Sequence, residues 1–272
     1  MVQAVRKGFS GLAISVGDAV LSGAREARSL LWVGARTFRF AVNGAKTRKK
    51  GEVFRQMWQV GNGSLLFVTA TMGFLGMIMV FQSCLQAQRI IGNLDLIGPI
   101  FLQLLIRDFG PSICALMVAT RVGSGIAAEI GSMVVTDQVD ALRMCGADPV
   151  NYLIVPRFLA TTVMMFILAI YAVCVAHLAG MFTAHTGFRV AYDTYLQIHL
   201  VSGSDVATGC VKALTFGMTI PIIAGWCGLV TSGGSEGVGW ATTKAVVSTS
   251  FAVIILNLVI SSLAFLITGV GA

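Results

Sequence analysis

The sequence predicts an all-α integral membrane protein with an N-terminal interfacial helix, five transmembrane helices and a short cytoplasmic helix between the second and third spans. Of its 272 residues, 56% are hydrophobic and 11% are charged, whereas soluble domains carry about 25% charged residues. The mean hydropathy is +0.83. In addition, five apolar runs reach the roughly 20 residues that a helix needs to cross a hydrocarbon core of about 30 Å.

The first 60 residues form a basic region without a span, which we separate from a five-span unit over residues 61–272. Apolar residues recur at helical spacing at Phe9, Leu12, Val16 and Val20, and this pattern predicts an amphipathic helix in the membrane interface. A disordered basic tail is the alternative for about the first twenty residues. The first long apolar run begins near Ser64, which is too late for a cleavable signal peptide.

The five spans follow the apolar runs in order. We place them near residues 63–86, 98–121, 157–182, 206–231 and 246–270. In the first span, Gly73 and Gly76 would allow a neighbouring helix to approach closely. In the fourth span, Pro221 predicts a kink.

Positive charge is concentrated near the N-terminus. Residues 1–61 carry eleven lysines and arginines against three acids, a net charge of +8, while the rest of the chain carries −1. The positive-inside rule therefore predicts a cytoplasmic N-terminus and, after five spans, a periplasmic C-terminus. We interpret the basic region as an orientation signal that also attracts anionic lipid, in preference to nucleic-acid binding.

The connection between the second and third spans is longer than a turn requires, since about thirty residues stand where a handful would reverse the chain. Within it, Val135, Val139 and Leu142 share one face of a helix that we expect at about residues 133–146. A structured helix at this position predicts a docking surface for another protein.

Polar residues mark the ends and the exposed face of this expected helix. Thr136 and Asp137 are expected to cap its beginning, and Gly146 is expected to end it. Asp140 and Arg143 then lie with Asp137 on its polar face.

Three charged residues stand inside apolar segments: Arg107, Asp108 and Lys212. A charge at the centre of a bilayer costs at least about 2.5–3.5 kcal/mol, so such residues usually face a cavity or one another. All three fall in the outer half of the membrane. They predict a polar pocket for a lipid headgroup, in which the cations face a phosphate and Asp108 balances their charge. The alternative is an ion-pair cluster that only locks the helices together.

Catalytic and metal-binding chemistry finds little support. Six cysteines are scattered without a CxxC pair, so neither a disulfide framework nor a metal site is predicted. Ser124 and His177 could in principle form a nucleophile–base dyad, but they are expected near opposite membrane surfaces. No GxxxxGK[ST] motif occurs. If ATP drives this protein, a separate chain must therefore bind it.

Two long blocks resemble a known family. The first consists of RDFGP, ATRVGSGIAAEIGSM, VTDQVDAL and GADPVNYLIVPR; the second is GGSEGVGWATTKAVV at residues 233–247. Both resemble the MlaE-type permeases, the membrane subunits of lipid-transporting ABC systems, and the similarity runs from about residue 55 to the C-terminus. The Arg107–Asp108 pair matches an Arg–acid pair of the family. Asn257 departs from an acidic residue that some relatives carry in the last span.

The resemblance implies a non-catalytic permease of the bacterial inner membrane that acts as a homodimer, with one docking helix for each of two ATPase subunits. It also implies an MCE-domain protein on the periplasmic side and a phospholipid or related lipid as cargo. The lipid would contact Arg107, Asp108 and Lys212, between apolar walls from the first, second and fifth spans. The ATPase would contact Glu129, Asp137, Asp140 and Arg143. No cofactor is expected in this chain, since ATP and Mg would be bound by the ATPase.

Two other functions stay open at this stage. A secondary transporter for an amphiphile would need its own coupling-ion site and two related halves with broken helices, and the five spans show no repeat. A membrane scaffold without a transport role predicts that the intramembrane charges affect stability alone.

Overall fold

The computed structural model describes residues 2–43, 50–90 and 94–268, with side chains placed at 21, 23–42, 51–90 and 94–267. Within these ranges the chain is helical, without strands. Five helices are long and apolar enough to cross a membrane, as predicted. They are Gly51–Ile90, Ile97–Val135, Val150–Phe188, Gly203–Leu229 and Gly234–Ile267, here called spans 1 to 5.

In the described part of the chain, three further helices lie outside the spans: the N-terminal helix Val2–Asn43, the short helix Gln138–Met144 and the single turn Tyr192–Tyr195. Because successive spans run in opposite directions, residues 136–149 lie at one end of the bundle, called the short-helix end. Residues 189–202 lie at the opposite end.

Spans 2 and 4 form the centre of the bundle. Half of the most apolar stretch of each is buried, against 6% for span 5. Span 1 packs mainly on span 3, and span 5 packs on spans 2 and 4. Most of the surface of span 5 therefore faces outward.

Glycine lets spans 1 and 3 approach closely at one of the two predicted positions. A Cβ at Gly76 would collide with the carbonyl oxygen of Ala176 and lie 2.8 Å from its Cα, whereas a Cβ at Gly73 would lie 3.9 Å from Val175 Cγ1. Backbone atoms cannot rotate out of the way as a side chain can. Of the two predicted positions, Gly76 is therefore the site of close backbone approach.

Replacing Gly76 with Ala is expected to lower the free energy of unfolding by about 1–3 kcal/mol, the usual cost of overpacking. The matched control is Gly73→Ala in the same helix, where the added methyl group has ordinary van der Waals room. Unfolding of the purified protein in mixed detergent micelles measures both. Equal stability of the two variants would contradict the close contact.

The N-terminal helix packs across the short-helix end of spans 3 and 4. One ion pair joins Arg36 to Asp148, two residues before span 3. A second joins Glu26 to Lys244 of span 5 at 2.9 Å. The helix is thereby tied to the connection before span 3 and to span 5.

The same helix leaves an apolar face uncovered, with exposed fractions of 70% for Leu31, 58% for Phe38 and 65% for Val42. Such a face is typical of a helix lying in the membrane interface, which stays a prediction. The side chains on which that prediction first rested, those of Phe9, Leu12, Val16 and Val20, lie outside the described residues.

The short helix spans Gln138–Met144 and is therefore shorter than the predicted helix at 133–146. Met133 and Val134 pack against the core in the last turn of span 2, which continues to Val135. The short helix itself is anchored through Val139, which is 3% exposed.

The predicted capping of the short helix is half right. Asp137 precedes it in a left-handed conformation with φ of 58°, and its side chain makes no capping hydrogen bond. The hydroxyl of Thr136 instead donates to the carbonyl of Ser132. Gly146 does end the helix, with φ of +73°, because a left-handed residue closes a helix and glycine adopts that conformation without strain.

Candidate functional site

The predicted intramembrane charges meet between spans 2 and 4, towards the opposite end of the bundle. The Lys212 ammonium donates to Asp108 Oδ1 at 2.6 Å, and the Lys212 side chain is completely buried. Lys212 was predicted to face a lipid phosphate, and in the single chain its ammonium is enclosed and bonded to Asp108.

A wide helical turn positions the pair on span 2. Residues Leu105–Phe109 form a π-helical turn in which the Gly110 amide donates to the carbonyl of Leu105. Pro111 follows, and a proline has no amide with which to continue the regular pattern. Such turns insert one extra residue and re-aim the side chains within them, and they are frequent at functional sites.

Arg107 pairs with an acid that sequence analysis missed. Its Nη1 lies 3.5 Å from Asp205 Oδ1, and Asp205 Oδ2 accepts from the Gln103 amide at 2.9 Å. Asp205 is fixed further by a capping box with Ser202 at the start of span 4. The sequence S-x-x-D at 202–205 is a recognisable capping signal. Lys212 follows seven residues later on the same helix face. Together, the capping signal and this spacing could have identified Asp205 from the sequence.

Close contact of the two helices brings these groups together. Gly209 lies between Asp205 and Lys212 on span 4, and a Cβ there would collide with the carbonyl oxygen of Ile106. The missing side chain lets the backbones touch one residue away from Arg107.

The four charges differ sharply in access to the surroundings. The side chains of Lys212 and Asp205 are 0% and 3% exposed, whereas those of Arg107 and Asp108 are 39% and 41% exposed. The cluster has no net charge, but it presents one cation and one anion outward. It can therefore bind a polar or zwitterionic group without leaving a buried charge unpaired.

The outward side of the cluster lies on a stripe along span 2. Leu104, Asp108, Ser112, Leu116 and Thr120 follow one another at intervals of four residues, and none of them is buried. The Ser112 hydroxyl donates to the Asn257 side-chain oxygen of span 5 at 2.9 Å, so the stripe runs beside span 5.

On another side the cluster adjoins an apolar cavity of about 340 Å³ between spans 2, 3 and 4. Ile106, Gly209 and Ala213 line it next to the charged residues. Polar groups at the edge of apolar surface are the arrangement that an amphiphile requires.

The predicted docking residues fall in two places. Asp137, Asp140 and Arg143 lie at the short helix, where Arg143 and Asp140 form an exposed ion pair at 2.9 Å. Glu129 lies apart from them on span 2, where it pairs with Arg157 of span 3 at 2.8 Å.

An apolar residue on the short helix was missed. Met144 is 91% exposed at the last position of the helix. A fully exposed methionine on an anchored helix is a common contact residue at protein interfaces. Hydropathy alone did not single it out, because one methionine in a polar loop makes no pattern.

The chain is similar to known proteins over most of its length. The family model described as Permease MlaE matches residues 53–263, a range that includes all seven predicted site residues. A probable ABC transporter permease of Synechocystis is 38% identical over 218 residues, covering 79% of this chain and 82% of the relative. A probable ABC transporter permease of Rickettsia felis is 36% identical over 215 residues, covering 78% and 83%.

A plant protein is also similar. The protein TRIGALACTOSYLDIACYLGLYCEROL 1, chloroplastic, of Arabidopsis thaliana is 33% identical over 217 residues, which cover 78% of this chain and 61% of the relative. With a family match over most of its length and relatives above 30% identity, this multi-pass chain belongs to the MlaE permease family of ABC transporter permeases.

Proposed function

We propose that this chain is the permease subunit of an ATP-driven transporter that moves phospholipids or related lipids between the inner membrane and the outer envelope. Its membership of an ABC permease family supports the general class. The name of the Arabidopsis relative is that of a lipid. The main structural support is the half-exposed Arg107–Asp108 pair set in apolar surroundings within a span.

The lipid headgroup would contact Arg107 and Asp108 directly. Lys212 would hold the Asp108 carboxylate in place from behind, as its 2.6 Å bond supports. The acyl chains would lie along the stripe of span 2 and against the apolar faces of spans 1 and 5. A paired cation and anion suit a headgroup that carries both donors and acceptors.

A second copy of the chain would complete the site. Span 5 exposes a continuous series of large apolar side chains: Val247, Phe251, Ile254, Ile255, Leu258, Val259, Leu263, Phe265 and Leu266. A homodimer would cover part of this surface beside the stripe, and each copy would offer one short helix to one ATPase subunit.

The remaining partners follow from the proposed orientation. The N-terminus and the short helix would be cytoplasmic, where the ATPase dimer binds ATP and Mg. The C-terminus would be periplasmic, where an MCE-domain protein receives or delivers the lipid. This chain would itself perform no catalysis.

Replacing Arg107 with Ala is expected to reduce ATP-driven lipid transfer about tenfold, since a hydrogen bond to a charged group contributes about 1.5–3 kcal/mol. The measurement is transfer of labelled phospholipid by the reconstituted complex. Arg89→Ala is the control, because Arg89 is an exposed arginine in the last turn of span 1. Association with the ATPase should not change.

Two results would contradict this assignment. Unchanged transfer by the Arg107→Ala complex would remove Arg107 from the lipid path. Loss of assembly, in place of loss of transfer, would support the purely structural interpretation of the charge cluster.

A further inference from the structure

A second charged cavity lies between spans 1, 2 and 3 at the short-helix end, and the proposed function makes no use of it. Its volume is about 600 Å³. The polar residues that line it are Gln56 and Gln59 of span 1, Arg121 and Glu129 of span 2, and Arg157 and Thr161 of span 3.

Arg121 is held in place at one side of the cavity by span 1. Its Nη1 donates to Ser64 Oγ at 2.9 Å. A Cβ at Gly63 would collide with its guanidinium, so the glycine leaves the space that the group occupies. Arg121 also lies in a π-helical turn, Ala119–Gly123, as Arg107 does at the other cluster.

Two buried polar groups of the lining residues lack hydrogen-bond partners within the described residues. Arg157 is 6% exposed; its Nη1 donates to the Leu153 carbonyl at 2.6 Å and its Nη2 pairs with Glu129 at 2.8 Å. Its Nε has no hydrogen-bond partner in the described part of the chain. One turn later, the fully buried hydroxyl of Thr161 also lacks one. Buried polar groups are rarely left unpaired in native proteins.

The charges of this lining favour an anion. The lining carries two guanidinium groups and one carboxylate, that of Glu129, which Arg157 already engages. The neighbouring Glu52 is bonded to Arg55 and Gln56. An oxyanion in the cavity would accept from the Arg121 guanidinium, and a small shift of the lining would bring the buried Arg157 Nε and Thr161 hydroxyl to it. Phosphate oxygens are preferred acceptors for arginine donors.

The depth of the cavity indicates the source of such an anion. Arg107 and Arg121 are fourteen residues apart on span 2, or about 21 Å along a helix. This is more than half of the roughly 30 Å of a hydrocarbon core, so the two clusters belong to opposite leaflets. We propose that the cavity binds the phosphate group of a phospholipid from the leaflet at the short-helix end.

This binding does not depend on transport, because it requires neither an ATPase nor transfer of the lipid. The test uses the full-length protein in a neutral detergent, carrying Arg107→Gln so that the other cluster contributes less. Phosphatidylglycerol, a diacylglycerol with the same acyl chains, and inorganic phosphate are titrated separately. The thermal midpoint and the lipid retained in native mass spectrometry are recorded.

Phosphatidylglycerol is expected to raise the thermal midpoint and remain bound, while diacylglycerol and inorganic phosphate do neither at matched concentrations. Adding Thr161→Val or Arg121→Gln should weaken phosphatidylglycerol binding about tenfold, the effect of losing roughly 1.4 kcal/mol. Thr161→Val preserves side-chain shape and should not lower the midpoint without lipid, since the hydroxyl has no partner among the described residues to lose. Arg143→Gln, which removes an exposed guanidinium on the short helix, should leave binding unchanged.

Equal binding of phosphatidylglycerol and diacylglycerol would overturn the phosphate site. Equal stabilisation by inorganic phosphate would show that the site binds free phosphate and does not require a lipid. Unchanged affinity in both cavity variants would place the bound lipid elsewhere. None of these results bears on lipid transfer through the Arg107 cluster, which the Arg107→Ala experiment measures separately.

Discussion

Replacing Asp108 with Leu is expected to lower the free energy of unfolding by about 3–5 kcal/mol, the usual cost of removing one partner of a buried ion pair. The loss is large because Lys212 is completely buried and Asp108 is the hydrogen-bond partner that the described part of the chain provides for its ammonium. Without Asp108, the buried ammonium has no partner to offset the cost of removing it from water.

A second substitution in the same chain tests this explanation. Asp108→Leu combined with Lys212→Met should recover most of the lost stability, because two apolar side chains of similar size then replace the pair. Lys212→Met alone should cost less than Asp108→Leu, since the Asp108 side chain is 41% exposed and keeps access to other partners. Unfolding of all four proteins in mixed micelles gives the coupling energy of the pair.

The double variant also separates the two interpretations of the cluster. If it is stable and transfers lipid normally, the ion pair only locks spans 2 and 4 together. If it is stable but inactive in transfer, the charges serve the lipid headgroup. Additive losses, with no recovery in the double variant, would contradict the ion pair itself.

Replacing Met144 with Glu is expected to weaken association with the proposed ATPase by at least about tenfold, since central apolar contact residues often contribute 2 kcal/mol or more. Met144 is 91% exposed, so its replacement should not affect folding. The Arg143–Asp140 pair beside it is also exposed on both sides, and charges at the rim of an interface contribute less. Co-purification of the ATPase at increasing salt concentration provides the measurement.

Ile198→Glu is the matched control, because Ile198 is a 64% exposed apolar residue at the opposite end of the bundle. It should retain the ATPase. If Ile198→Glu releases the ATPase and Met144→Glu does not, docking occurs at the other end and the proposed orientation is wrong. If no ATPase accompanies the unaltered chain, a secondary transporter becomes the better interpretation.

The spans could be predicted from the sequence, but their ends could not. The first apolar run predicted a span at 63–86, whereas the helix continues from Gly51 to Ile90. Its extra turns carry polar residues such as Glu52 and Arg55, which bond to each other along the helix. Hydropathy identifies the part of a helix that lies in hydrocarbon. It does not identify the helical turns that extend into water.

The candidate site could be predicted only in part, and the reason is similar. Arg107, Asp108 and Lys212 are conspicuous because each charge interrupts an apolar run. Asp205 also belongs to the cluster, but it lies near the start of a span. A charged residue is common at that position and does not attract notice. Glu129 was grouped with the short helix by its proximity in sequence, and it pairs with Arg157 of span 3; its contact with the ATPase stays a prediction.

The sequence by itself determined that this chain is a five-span membrane protein with charges in its apolar segments. Burial of about twenty apolar residues in lipid is a property of each segment alone. Only the tertiary structure decided which acid neutralises which cation. Asp108 and Lys212 are 104 positions apart in the chain, and their contact depends on how closely spans 2 and 4 pack at Gly209.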